Sequence, residues 1–271
     1  MEFGLYGLHR GSNVDPEVLT RRAQAAEAAG VESLWVGDHI TVPVGDGDDD
    51  RRLEAITALS YLAAVTERVR LAIGVIVLPQ RQPLVLAKQL TTLDRLSGGR
   101  LTVGAGVGHL RPELEALGVA PAERAARMDE ALELLRVTWA DEVTSFTGRW
   151  TSYDELAQRP LPVQRPHPPL VLGGHAGAAL ARAARQGDGW FGWELTPEQV
   201  AETGAELARL RAQAGRADEP LEITVKPHRV PDRALVEQYA EVGVHRLVLQ
   251  PQDSAGEEIE ALVEVIAALR S

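Results

Sequence analysis

A short apolar run rich in Val, Leu and Ile gives way to a longer segment of helical spacing eight times along the chain, which narrows the fold more than any other feature. Each run stops at Gly, Asp, His or Pro, so the rhythm reads as repeated βα units. The runs cover Phe3 to Leu8, Ser33 to Gly37, Arg70 to Leu78, Leu101 to Val107, Pro169 to Gly173, Gly189 to Trp193, Leu221 to Lys226 and His245 to Gln250. Helices are expected from near Asp15, Glu54, Pro83, Glu123, Gly177, Thr196, Asp232 and Gly256. Two open on Asp15-Pro16-Glu17 and Thr196-Pro197-Glu198. There a capping side chain satisfies free amides, proline suits the first turn and an acid suits the positive helix end. Eight such units in 271 residues predict one domain, a (β/α)8 TIM barrel, which typically needs ~250 residues. A doubly wound open sheet is the alternative. Met128, Ala131, Leu132, Leu135 and Trp139 form a helical stripe expected to pack on the barrel wall.

The rhythm breaks once, at residues 141–168, which are polar and proline-rich with Thr147-Gly148-Arg149-Trp150 as a turn. This reads as an insertion before strand five, either a lid over the mouth or a surface excursion. The acidic stretch Asp46 to Asp50 reads as a solvated loop after strand two.

Charge and cysteine content exclude whole classes of function. The net charge of −11 argues against a nucleic-acid partner. Having no cysteine rules out disulfides, thiolate metal sites and a cysteine nucleophile. The opening MEFGLYGLHRGSN lacks a basic and then apolar leader, and no run reaches the ~20 apolar residues of a membrane span. A cytoplasmic protein with no membrane partner is expected.

In a barrel the chemistry sits where strands end, and histidines gather there. His9, His39, His109, His175 and His228, five of the seven, follow predicted strands one, two, four, five and seven. Convergence on one face favours a binding site over five separate structural histidines. Gly173-Gly174-His175-Ala176 ends strand five and opens a helix, so it is either a phosphate cradle of free amides or a tight turn that needs glycine. Gly104-Ala105-Gly106-Val107-Gly108 lacks the spacing and position of a dinucleotide fingerprint and is read as a wall that a flat ligand approaches closely. Glu113 is either a carboxylate at the mouth or part of a solvated helix.

Glu32-Ser33-Leu34-Trp35-Val36-Gly37-Asp38-His39 resembles the second-strand signature of the bacterial luciferase-like flavin and deazaflavin oxidoreductases. The resemblance continues through Leu71 to Pro79, Gln82 to Lys88, and Leu93-Asp94-Arg95-Leu96-Ser97-Gly98-Gly99-Arg100-Leu101 with the glycines up to Gly108. It extends to Pro162 to Pro169, Gly173-Gly174 and Gly187-Asp188-Gly189-Trp190, covering about Gly30 to Trp193. The Asp38-His39 pair is similar to the subgroup that uses the deazaflavin coenzyme F420, with FMN as the competing cofactor.

That resemblance implies hydride transfer between a deazaflavin and a small organic substrate, with His39 and Asp38 as catalytic residues. His39 would meet the ring or substrate and exchange a proton, while Asp38 would orient it or hold charge, unless it only caps its loop. A cis peptide is implied at Gly74-Val75. Gly106, Gly108 and His109 are implied to line the cofactor, and Gly173, Gly174, His175 and Ala176 to take its phosphate. A homodimer is implied as well. Asp94 and Arg100 are expected to pair and fix the turn into strand four. Arg10, Arg81, Arg111 and Arg182 lie near the predicted mouth as charges for an anionic tail. Three other readings stand beside this one: an FMN-dependent monooxygenase, a metal-dependent barrel hydrolase and a non-catalytic flavin-binding barrel.

Overall fold

The computed structural model describes residues 1–44, 51–252 and 258–270. In chain order the strands and helices are β1 (Glu2–Tyr6), α1 (Pro16–Ala28), β2 (Ser33–Val36), α2 (Ala55–Val65), β3 (Arg70–Val77), α3 (Pro83–Leu96), β4 (Leu101–Gly106), α4 (Arg111–Ala116) and α5 (Arg124–Ala140). They continue with β5 (Val143–Thr147), β6 (Ser152–Ala157), β7 (Leu170–Gly173), α6 (Gly177–Gln186), β8 (Gly189–Leu195), α7 (Pro197–Gln213), β9 (Glu222–Pro227), α8 (Arg233–Glu241), β10 (Arg246–Leu249) and α9 (Ile259–Arg270). Eight parallel strands close in the order β1-β10-β9-β8-β7-β4-β3-β2, the barrel expected from the alternation. The expected helix start at Gly256 and the stretch Asp46 to Asp50 lie outside the described residues.

The local signals act as the sequence predicts. Asp15 accepts from the amides of Glu17 and Val18 at 2.9 and 3.2 Å, and Thr196 forms a reciprocal capping box with Gln199. The α5 stripe is buried, and Trp139 donates its indole N–H to Thr91 on α3 at 3.0 Å. Full burial of a leucine such as Leu132 or Leu135 contributes roughly 2 kcal/mol, so this stripe is a principal tie between helix and barrel.

Residues 141–168 contain the antiparallel hairpin β5–β6. It connects the end of α5 to the start of β7, so it leaves from the end of the barrel opposite the mouth. Its turn lies on α5, where the Glu130 carboxylate accepts from the amides of Arg149, Trp150 and Thr151, and Trp150 lies under the Arg127 and Arg149 guanidinium groups. Its return leg bonds to α3, with the Arg95 guanidinium donating to Leu161 O at 2.7 Å. The hairpin is therefore a strap over two outer helices.

The expected Asp94–Arg100 pair is corrected. Buried Asp94 accepts from the Val163 and Gln164 amides and the Gln164 side chain, at 2.6, 3.1 and 2.7 Å. Arg100 instead reaches back to the end of α2, donating to Ala63 O, Thr66 O and Val69 O. Both residues fix the turn, through separate partners. No helix among the described residues is long and apolar enough to cross a membrane.

Candidate functional site

A cavity of about 490 Å³ opens at the C-terminal ends of the strands. Its floor is aromatic: Tyr6 of β1 lies edge-on to Trp193 of β8 at 5.4 Å, and Phe191 stacks on buried Trp35 at 5.2 Å. His39 and His109 stand on one side, and Gly173, Gly174 and His175 on another. None of the lining residues comes from residues 141–168.

His39 follows β2 and is held from α4. Its Nδ1–H donates to Glu113 Oε2 at 3.0 Å, while Glu113 Oε1 accepts from the amides of Ile40 and Thr41 at 2.6 and 3.2 Å. Glu113 has a side chain only 1% exposed. Burial alone would raise its pKa, but the bonds from His39 and the Thr41 amide outweigh burial and hold the carboxyl below its ordinary value. The carboxylate fixes the proton on Nδ1, so Nε2 is the ring nitrogen left to meet a ligand. His109 packs edge-on against His39 at 5.5 Å.

The expectation that Asp38 orients His39 is corrected by this arrangement. Asp38 is buried and paired with Arg81, and its Oδ2 accepts from the Val77 amide at 2.9 Å and from Arg81 Nε at 3.2 Å. Arg81 also bonds Glu54 at 2.8 Å. Asp38 thereby ties β2 to the end of β3 and reaches the cavity as a neutralised charge.

The wall between the two sides comes from β3 and β4. The Gly74–Val75 peptide is cis, and the β3–β4 register shifts between Ile73 and Ile76. Val75 faces the glycines of β4. A Cβ on Gly106 would stand 2.6 Å from Val75 Cγ2, and one on Gly108 2.6 Å from Val77 Cγ1. These glycines accommodate the neighbouring strand and leave a wall of backbone and methyl groups.

The β7 turn is fixed from behind. Trp190 donates its indole N–H to Gly174 O at 3.0 Å, and His175 Nε2 accepts from the Trp193 amide at 3.0 Å. Burial lowers the His175 pKa, which favours the neutral ring that this bond requires. Gly174 has φ +116, and a Cβ there would lie 2.8 Å from Ala179 Cβ. The amides of His175, Ala176 and Gly177 have no acceptor among the described residues and stand at the start of α6. The turn requires glycine, and it presents free donors beside the cavity. Ala176 contributes as the exposed residue preceding α6 and does not line the cavity.

Of the five histidines expected at the mouth, His39, His109 and His175 line this cavity. His9 is buried and does not line it, accepting from the Gly37 amide at 3.1 Å, and His228 lines a separate hollow of about 280 Å³. Of the four arginines, Arg10 lines the cavity, Arg81 serves Asp38, Arg111 bonds Glu115 and Arg182 bonds Asp129. Sequence reasoning missed Arg52, which lines the cavity although it follows the acidic stretch and precedes α2. Among the described residues no group of three or more His, Cys, Asp or Glu side chains is placed to hold a metal ion.

A flat ring with a phosphate tail fits this lining: the glycine-lined wall admits a planar face, the β7 turn offers amides, and His39 presents Nε2. The luciferase-like monooxygenase family model matches residues 1–263. An uncharacterized protein of Mycobacterium tuberculosis is 32% identical over 99% of this chain and 98% of its own length. The FMNH2-dependent dimethylsulfone monooxygenase of Pseudomonas putida is 31% identical over 75% of this chain and 55% of its own length. The structure of an F420-dependent secondary alcohol dehydrogenase in complex with an F420-acetone adduct superposes with a TM-score of 0.82 at 19% identity, covering 100% of this chain and 99% of that one. At that identity the last likeness concerns the fold alone.

Proposed function

The chain belongs to the luciferase-like monooxygenase family, and on that premise we propose that it is an F420-dependent oxidoreductase moving a hydride between the deazaflavin and a small organic substrate. The observation that carries this reading is His39, set at the cavity by Glu113 with Nε2 free for a ligand. When bound, the deazaflavin supplies a ring carbon that gives or takes the hydride. Gly106, Gly108 and the Gly74–Val75 wall would hold the ring face, and the β7 turn its phosphate. His39 Nε2 would accept or return the substrate proton, with Glu113 balancing the imidazolium charge. In this reading the protein is a cytoplasmic homodimer that engages neither nucleic acid nor membrane.

An FMN-dependent monooxygenase is the second reading, favoured by the Pseudomonas putida relative. A fluorescence titration separates them. The first reading predicts quenching of F420 emission at micromolar protein and weaker binding of FMN. Tight FMN binding with none of F420 reverses the order.

A further inference from the structure

Among the described residues that line the cavity, one guanidinium has no partner. Asp38 is the one carboxylate among the described lining residues, and Arg81 already pairs with it. Two guanidinium groups, Arg10 and Arg52, line the same cavity. Arg10 donates to Pro251 O at 3.4 Å. Arg52 forms no side-chain hydrogen bond or ion pair with the described residues, and its Nε is buried without a partner. A buried, unpaired guanidinium nitrogen is costly in a folded protein, and a guanidinium at a cavity wall is a group that a bound anion pairs with.

The position of Arg52 is set by backbone. It forms an antiparallel bridge with Arg10, and on either side of it Gly11 N donates to Arg51 O at 3.1 Å and Leu53 N to His9 O at 2.8 Å. The backbone of Arg52 is thus anchored beside the segment that follows β1, the strand paired with β2. The free amides of the β7 turn lie across the closed strand order from these two strands. An anion at Arg52 is therefore distinct from a phosphate on the β7 turn.

We infer that Arg52 is the anion-recognising end of the substrate site and that the substrate carries a carboxylate. This rests on the oxidoreductase reading above. A planar carboxylate matches one guanidinium fork and balances one unmatched charge, with His39 on the neighbouring β2 rim for its reacting end.

The test is calorimetric titration of the protein, with and without bound F420 or FMN, using benzoate and hexanoate and their neutral partners benzamide and hexanamide. Wild type should bind each acid at least about tenfold more tightly than its amide, the scale of one charge-assisted bond. Arg52→Gln should abolish that preference and Arg52→Lys should retain part of it, with cofactor affinity within about threefold of wild type. An acid preference absent from wild type, or intact in Arg52→Gln, overturns the inference. Weaker cofactor binding in Arg52→Gln with acid preference intact assigns the arginine to the cofactor tail and overturns it too. Failure of both cofactors to bind wild type would instead defeat the oxidoreductase reading, while the cofactor-free titration still reports on Arg52.

Discussion

His39 and Glu113 are 74 positions apart in sequence, and their Nδ1 and Oε2 atoms lie 3.0 Å apart in the fold. Glu113 holds the loop after β2 by two amides and the imidazole by one nitrogen, so one buried carboxylate sets both the position and the tautomer of His39. His39→Ala should lower turnover about a hundredfold, with cofactor affinity changed less than about threefold. Glu113→Gln should lower turnover about tenfold or more, again at nearly constant affinity, because the neutral amide no longer balances an imidazolium. Steady-state rates with cofactor titrations check both, and activity equal to wild type in His39→Ala would remove its proposed role.

Gly174 couples backbone conformation to ligand binding. Gly174→Ala meets a φ of +116 and the Ala179 methyl at once, so the turn must shift. Stability should fall by about 1–3 kcal/mol and cofactor affinity by about tenfold, measured by thermal unfolding and fluorescence quenching. Loss of stability at unchanged affinity would make the turn purely structural.

His9 gives the fold a pH dependence distinct from that of the carboxylates. Burial, reinforced by the nearby Arg10 and Arg52 charges, lowers its pKa to about 3 from an ordinary 6.5, so the native state keeps it neutral. The unfolded chain binds the proton first as pH falls. The stability due to this group is full above pH 6.5 and drains away as pH falls toward 3, by at most about 1.4 kcal/mol per pH unit. His9→Gln, which can still accept from the Gly37 amide, should flatten the unfolding free energy between pH 6 and pH 4, values chosen as roughly inside that window. An unchanged slope would show that His9 is not the titrating group.

Asp94 is a structural control far from the chemistry. Asp94→Asn leaves a donor facing the donors of Val163 and Gln164, and should cost about 2–3 kcal/mol in urea unfolding. Cofactor affinity should not change, since Asp94 does not line the cavity.

The barrel was legible because parallel strands announce themselves as short apolar runs, and α1 and α7 carry their caps in sequence. The hairpin β5–β6 was not, because its two strands are mostly exposed, bury only Phe146 and lean on Glu130 of α5. The site divides the same way. His39, His109 and the β7 turn are local consequences of strand ends, whereas the Glu113 contact depends on α4, a six-residue helix too short to show a period. His9 sits at a strand end like the others, yet is buried against the Gly37 amide outside the cavity lining, and only three-dimensional packing separates it from them. The resemblance placed Asp38 beside a deazaflavin but gave no hint of Arg81, whose partner choice is settled by the loop after β3.

The most direct measurement is a crystal structure of the protein with F420 or FMN bound. The ring should lie against the Gly74–Val75 and Gly106 wall, with its phosphate within hydrogen-bond reach of the His175 and Ala176 amides and His39 Nε2 facing the reacting side. A cofactor seated away from the β7 turn, or with His39 outside contact distance of ring and substrate, would contradict this placement.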